Sequence, residues 1–139
     1  MNLSIIFFLA AVLIIGALLL FLICVTKKGV KRLDVEKYRV RCLAIEQQFK
    51  KEEPSSYHLA VLNADKLVDQ ALRELGVKGQ TMGERMKNSA NRFSNRNGIW
   101  TAHKLRNVIA HESDAHVSYE SARQALNNFR QALKDLGAI

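Results

Sequence analysis

An uncharged apolar run at the N-terminus limits this chain's folding more than any other feature. Leu3 to Val25 reads LSIIFFLAAVLIIGALLLFLICV, with Ser4 its one clearly polar residue. Its 23 residues exceed the roughly 20 a helix needs to cross the hydrocarbon core of a bilayer. A cleaved signal peptide calls for a basic segment first, a shorter apolar stretch and small residues before the cut. Here only Met1 and Asn2 precede the run. Cys24 closes it, but Ile23 occupies the preceding position, where a lipoprotein signal needs a small residue. Residues 1–26 therefore read as an uncleaved transmembrane anchor.

The remainder has room for one compact domain. Every charged residue lies after position 26, and 21 Lys and Arg against 13 Asp and Glu give a net charge of +8. Lys27, Lys28, Lys31 and Arg32 crowd the C-terminal flank of the run. The positive-inside rule places that flank, and the domain after it, in the cytoplasm. The same cluster suits anionic headgroups. Cys24 in the apolar run and Cys42 on a helix face have no evident way to pair, which agrees with a reducing compartment.

Past the anchor the pattern is helical throughout. Asp34 is placed to cap a helix running toward Glu53, along which Val35, Tyr38, Cys42, Ile45 and Phe49 recur at steps of three and four. That stripe either packs into the domain or zips against a second copy as a short coiled coil. Pro54 breaks the helix, and Ser55 or Ser56 is expected to cap the next. Tyr57, Ala60, Val61, Ala64, Leu67, Val68, Ala71, Leu72 and Leu75 then form a wide apolar face closed by Gly76. Thr81 with Glu84 has capping-box spacing and opens a short helix to about Ala90; NRFSNRNG reads as a long basic loop. A helix over about Ile99 to Glu112 is expected to bury Leu105, Val108 and Ile109. The last runs from near Ser118 to Leu136. The expected fold is all-α: an anchor (1–26), a basic juxtamembrane segment with an amphipathic helix (27–54), and a helical domain (55–139) in an up-and-down bundle of four to five helices.

The stretch WTAHKLRNVIAHESDAH, Trp100 to His116, carries the chemistry. His103, Asn107 and His111 follow at four-residue intervals and Arg106 stands three after His103, which gathers two imidazoles, an amide and a guanidinium on one side of a helix. A guanidinium grips phosphate through a planar fork and keeps its proton; an imidazole transfers one. From Lys78 to Arg106 there are seven basic residues against Glu84 alone, so a polyanion is drawn to this part of the chain. Lys87, Arg92, Arg96, His103 and Lys104 are the candidate RNA or phosphate contacts. Spacing alone is equally met by a surface ion pair at Arg106, a helix-end Asn107 and a His111 favoured by the helix dipole. No His pair has zinc-type spacing and the cysteines are far away, so neither metal nor cofactor is expected.

LRNVIAHE, in which Arg106, Asn107 and His111 form an Arg, four residues, His motif ahead of a final amphipathic helix, resembles the HEPN superfamily of small helical domains. The resemblance covers roughly Ser55 to Leu136, with Gly79 to Met86 as a connection similar to that of its members. It implies a homodimer in which the Arg and His of both copies line one cleft. It also implies metal-independent cleavage of single-stranded RNA by the RNA's own 2′-hydroxyl. By position, His111 is then the general acid or base, Arg106 the phosphate stabiliser and Asn107 the orienting group. No Tyr stands between Arg106 and His111, unlike one toxin branch, and an anchor is unusual among the mostly soluble relatives. Since other members are inactive, the alternative is a non-catalytic module at the membrane that binds RNA, nucleotide or a protein partner such as an antitoxin.

Overall fold

The structure, a computed structural model, describes residues 2–26 and 31–139. Lys27 and Lys28, on which part of the orientation argument rests, lie outside the described residues. The chain divides into two compact units, residues 1–30 and 31–139.

The first unit is α1 (Leu3–Thr26), a continuous helix without an acidic or basic residue. It is long and apolar enough to cross a membrane, and its large side chains face outward along its whole length.

The second unit is all-helical among its described residues: α2 (Val35–Gln48), α3 (Pro54–Glu74), α4 (Met82–Asn88), a short 3-10 turn (Ala90–Arg92), α5 (Arg96–His111) and α6 (Tyr119–Asp135). α3 is the centre, packed by α6, α5, α2 and α4, and α5 also lies along α6. The core joins Tyr38, Val61, Val68, Leu72, Met86, Ile99, Phe129 and Leu133, all nearly sealed from solvent.

The caps follow from the sequence. Asp34, Thr81, Asn95 and Ser118 each accept a backbone N–H from the first turn of the helix they precede, satisfying donors that the helix leaves open. At α4 the box is displaced by one residue: Thr81 Oγ1 accepts from Glu84 N, and the Glu84 carboxylate accepts from Gln80 N at 2.7 Å. Gly76 and Gly137, with φ of 75° and 70°, end α3 and α6. In both, the next residue's N–H returns to a carbonyl five residues back, Val77 to Leu72 and Ala138 to Leu133, a closure that needs the left-handed conformation glycine adopts freely.

Three expectations change. α2 stops at Gln48, short of Glu53, because Phe49 leaves the helix to stack on Tyr119 at 5.0 Å and to lean on Tyr57. Pro54 opens α3 as its first residue, where its missing N–H costs nothing. No side-chain cap precedes it: the Ser56 hydroxyl instead donates toward the Lys50 and Glu53 carbonyls and accepts from Lys50 N. Finally, α5 begins at Arg96, and Phe93 is buried. The long basic loop is thus a 3-10 turn and a few capping residues.

The α2 stripe is internal to the domain: Tyr38 is fully buried, while Cys42, Ile45 and Phe49 pack against the core. Lys37 with Glu74, Arg41 with Gln70 and Arg130 with Glu46 tie the helix down further.

Candidate functional site

α5 builds the site, and its register differs from the simplest sequence reading. Ile99, Ala102 and His103 are its buried residues, while Val108 is 37% exposed and Leu105 and Ile109 are only half-buried. The helix has therefore turned a histidine, not Val108, into the interior. His103 Nδ1 lies 2.7 Å from Asp65 Oδ1 on α3, with Asp65 3% and His103 9% exposed. His103 is thus a largely interior group with an anionic partner rather than a freely exposed one.

The other oxygen of Asp65 stands 3.3 Å from Arg106 Nε, close enough for ion pairing but outside hydrogen-bond geometry, so that Nε is buried without a hydrogen-bond partner. Arg106 Nη1 donates to Asn107 Oδ1 at 2.9 Å. One turn deeper on α3, Asp69 holds Arg85 of α4 through Oδ1, with Nε and Nη2 both at 2.7 Å, and Arg73 through Oδ2 at 2.6 Å. Arg85 Nη1 also donates to the Gly79 carbonyl.

These groups wall a cleft of about 720 Å³ between α3, α4 and α5, lined by Asp65, Lys66, Asp69, Arg73, Arg85, His103, Arg106 and Asn107, with Gln80 and Thr81 at its edge. Four cationic side chains face two carboxylates, leaving the cleft positive. Among the described residues, no three His, Cys, Asp or Glu side chains are grouped so as to hold a metal ion.

The structure joins Arg106, Asn107 and His103 in one place. His111, the last residue of α5, is exposed and does not line the cleft. Four residues separate it from Asn107, about 6 Å of helix. Lys87 on α4, Arg92 in the 3-10 turn, and Arg96 and Lys104 on α5 are all exposed. Arg96 opens the helix that Arg106 nearly closes, about 15 Å away along the axis. The basic residues are therefore spread over α4, the 3-10 turn and α5, with Arg96 remote from Arg106.

Asp65, Asp69 and Arg85 are functional candidates that the chemistry of Trp100 to His116 does not reveal. Their signal lay on α3, where two aspartates four apart interrupt a face that is otherwise Ala, Val and Leu. Charges in such positions are kept only when paired.

Compared with known proteins, the chain matches no family model, no curated protein and no solved structure.

Proposed function

We propose that this chain is a membrane-anchored, HEPN-like, metal-independent endoribonuclease acting on single-stranded RNA as a homodimer. The observation that carries the proposal is the end of α5. There Arg106 is fixed between Asp65 and Asn107 at the edge of a positive cleft, one turn before an exposed His111.

In this reading α1 spans the bilayer, and Lys31 and Arg32, with Lys27 and Lys28, keep the domain on the cytoplasmic side. Arg106 stabilises charge on the scissile phosphate, Asn107 holds the guanidinium in place, and His111 transfers a proton. Because His111 lies outside the cleft of its own copy, it acts in the cleft of the second copy. Lys87, Lys104, Arg92 and Arg96 hold the flanking strand electrostatically.

The test is cleavage of single-stranded RNA by the full chain in detergent micelles containing EDTA. A 2′,3′-cyclic phosphate end, lost in folded Arg106→Ala and His111→Ala variants, is the expected result. Cleavage that needs an added divalent ion overturns the mechanism.

One observation favours a second reading. Asp65 already faces Arg106, and Asp69 faces both Arg73 and Arg85, so much of the cleft's positive charge is answered from within. A non-catalytic module would show salt-sensitive RNA binding and no product.

A further inference from the structure

His111 is not the histidine that lines the cleft. His103 presents Nδ1 to a buried carboxylate and stands in the wall of the cleft beside Arg106 and Asn107. A carboxylate only accepts, so Nδ1 carries a hydrogen, and in the neutral ring the lone pair then falls on Nε2. Nε2 makes no hydrogen bond with the described residues, yet it is not among the side-chain atoms sealed from solvent without a partner. It therefore keeps contact with solvent, in a residue that lines the cleft. An imidazole fixed at one nitrogen by an aspartate and free at the other is the arrangement that serves general-base catalysis elsewhere. The charged groups around it are Asp65, Lys66, Asp69 and Arg73 from α3, Arg85 from α4 and Arg106 from its own helix; α6 contributes none to the cleft wall.

We propose that His103 Nε2, aligned by Asp65, is the base that activates the 2′-hydroxyl of the bound RNA, and that His111 of a second copy protonates the leaving oxygen. The proposal rests on the ribonuclease reading above. Nε2 takes the 2′-hydroxyl proton as the 2′-oxygen bonds to phosphorus. The bond from phosphorus to the 5′-oxygen then breaks, its electron pair staying on that oxygen, which receives the proton from His111. Arg106 faces the non-bridging oxygens. The products are a 2′,3′-cyclic phosphate and a free 5′-hydroxyl.

The two histidines are drawn from different copies because His111 does not line the cleft of its own copy. They lie eight residues apart on one helix, about 12 Å along its axis, whereas the 2′- and 5′-oxygens flank a single phosphorus. Asp65 is in this scheme a positioning residue.

The experiment uses the full chain in detergent micelles with EDTA and two substrates. One is the dinucleotide UpA; the other is its analogue with p-nitrophenolate as leaving group, which departs without a proton. His103→Ala should lower kcat by about 10²–10⁴-fold on both substrates with little change in KM, and added imidazole should restore part of the loss. His103→Asn, which keeps a donor for Asp65 and so protects the fold, should be equally slow. His111→Ala should be slow on UpA and nearly normal on the analogue. Co-expressing His103→Ala with His111→Ala should return about a quarter of wild-type activity, since half the dimers then carry one intact cleft of two.

Wild-type rates in the His103 variants, or a folded His103→Ala that imidazole does not rescue, would overturn the role of His103 and leave the ribonuclease reading standing on Arg106 and His111. A mixture no more active than its components overturns the assignment of His111 to the second copy. A wild type that cleaves neither substrate overturns the ribonuclease reading and this proposal with it.

Discussion

Nδ1 of His103 and Oδ1 of Asp65 lie 2.7 Å apart between two helices whose sequences are 38 residues distant, and the same carboxylate turns its second oxygen toward Arg106. One aspartate thus holds two candidate site residues. Asp65→Ala strands His103 Nδ1 without its acceptor and takes from Arg106 its anionic partner. Removing one partner of a buried charged group costs about 3 kcal/mol, which should appear as a lower urea midpoint at unchanged slope. Asp65→Asn keeps the shape but can turn a donor toward Arg106, and should cost about half as much. Equal stability of all three proteins would show that the pair contributes nothing to the fold.

Asp69 offers an internal comparison, because it holds one buried and one exposed arginine. Arg85 is 5% exposed and gives two nitrogens to Asp69 and a third to the Gly79 carbonyl; the Arg73 side chain is 65% exposed. Arg85→Ala should cost about 3 kcal/mol, since it takes the buried partner from a buried carboxylate and leaves only the exposed Arg73 to answer it. Arg73→Ala should cost about 0.5 kcal/mol or less, as surface pairs do. Equilibrium unfolding of the two variants side by side checks the ranking. A larger loss at Arg73 would mean that the ion pair, not burial, sets the energy.

Most of the helices were legible in the sequence because their signals are local. The charge-free run gives α1, and Ser118 with the Ala122, Ala125, Phe129, Leu133 stripe gives α6. The start of α5 was hidden because NRNG is rich in turn formers, yet Asn95 uses its side chain to cap Gly98 N and the helix continues through it. The site was legible at Arg106 and Asn107, whose spacing shows on one helix. At Asp65 and Asp69 the two aspartates within an apolar face were a trace that named no partner, and Arg85 left none, because pairing across three helices has no periodic signature. His103 lay in the right segment but was assigned to the surface, since nothing local announces that an aspartate 38 residues earlier makes its burial tolerable.

Two carboxylates make stability depend on acid. Glu74 is held below its ordinary 4.5 by hydrogen bonds from Gln70 and Lys37. At Asp135 burial pushes upward, but the Ser94 N–H and hydroxyl, with Gln131, outweigh it and hold the group below 3.8. A depressed folded value means that the unfolded chain binds protons first. The stability from these groups is therefore present above about pH 4.5 and lost as the pH falls through the folded values. Ser94→Ala should soften the acid transition by removing one Asp135 bond. Thermal melts from pH 6 to pH 2.5 test this; coincident profiles for wild type and variant would exclude Asp135 as a source of the loss.

Tyr38 makes the opposite case at alkaline pH. Its ring is completely buried, and its hydroxyl lies near the Glu74 carboxylate without reaching full hydrogen-bond geometry. Burial first, and the nearby Glu74 carboxylate second, push the phenol well above its ordinary value of 10.0. Tyr38→Phe keeps the ring and removes a buried polar atom whose bond to Glu74 is incomplete, so the variant should match or exceed wild type by about 1 kcal/mol near neutral pH. A phenol whose folded value is raised stays neutral in the native state while the unfolded chain ionises. Its contribution is therefore intact below about pH 10 and is lost as the pH climbs toward the folded value, by at most about 1.4 kcal/mol per pH unit. Phenylalanine has no such loss, so the advantage of the variant should widen from pH 10 to pH 11.5 in urea titrations. A variant less stable than wild type at pH 7 would mean that the hydroxyl's bond to Glu74 is complete after all, and a constant difference across the alkaline range would mean that Tyr38 ionises as readily in the folded chain as in the unfolded one.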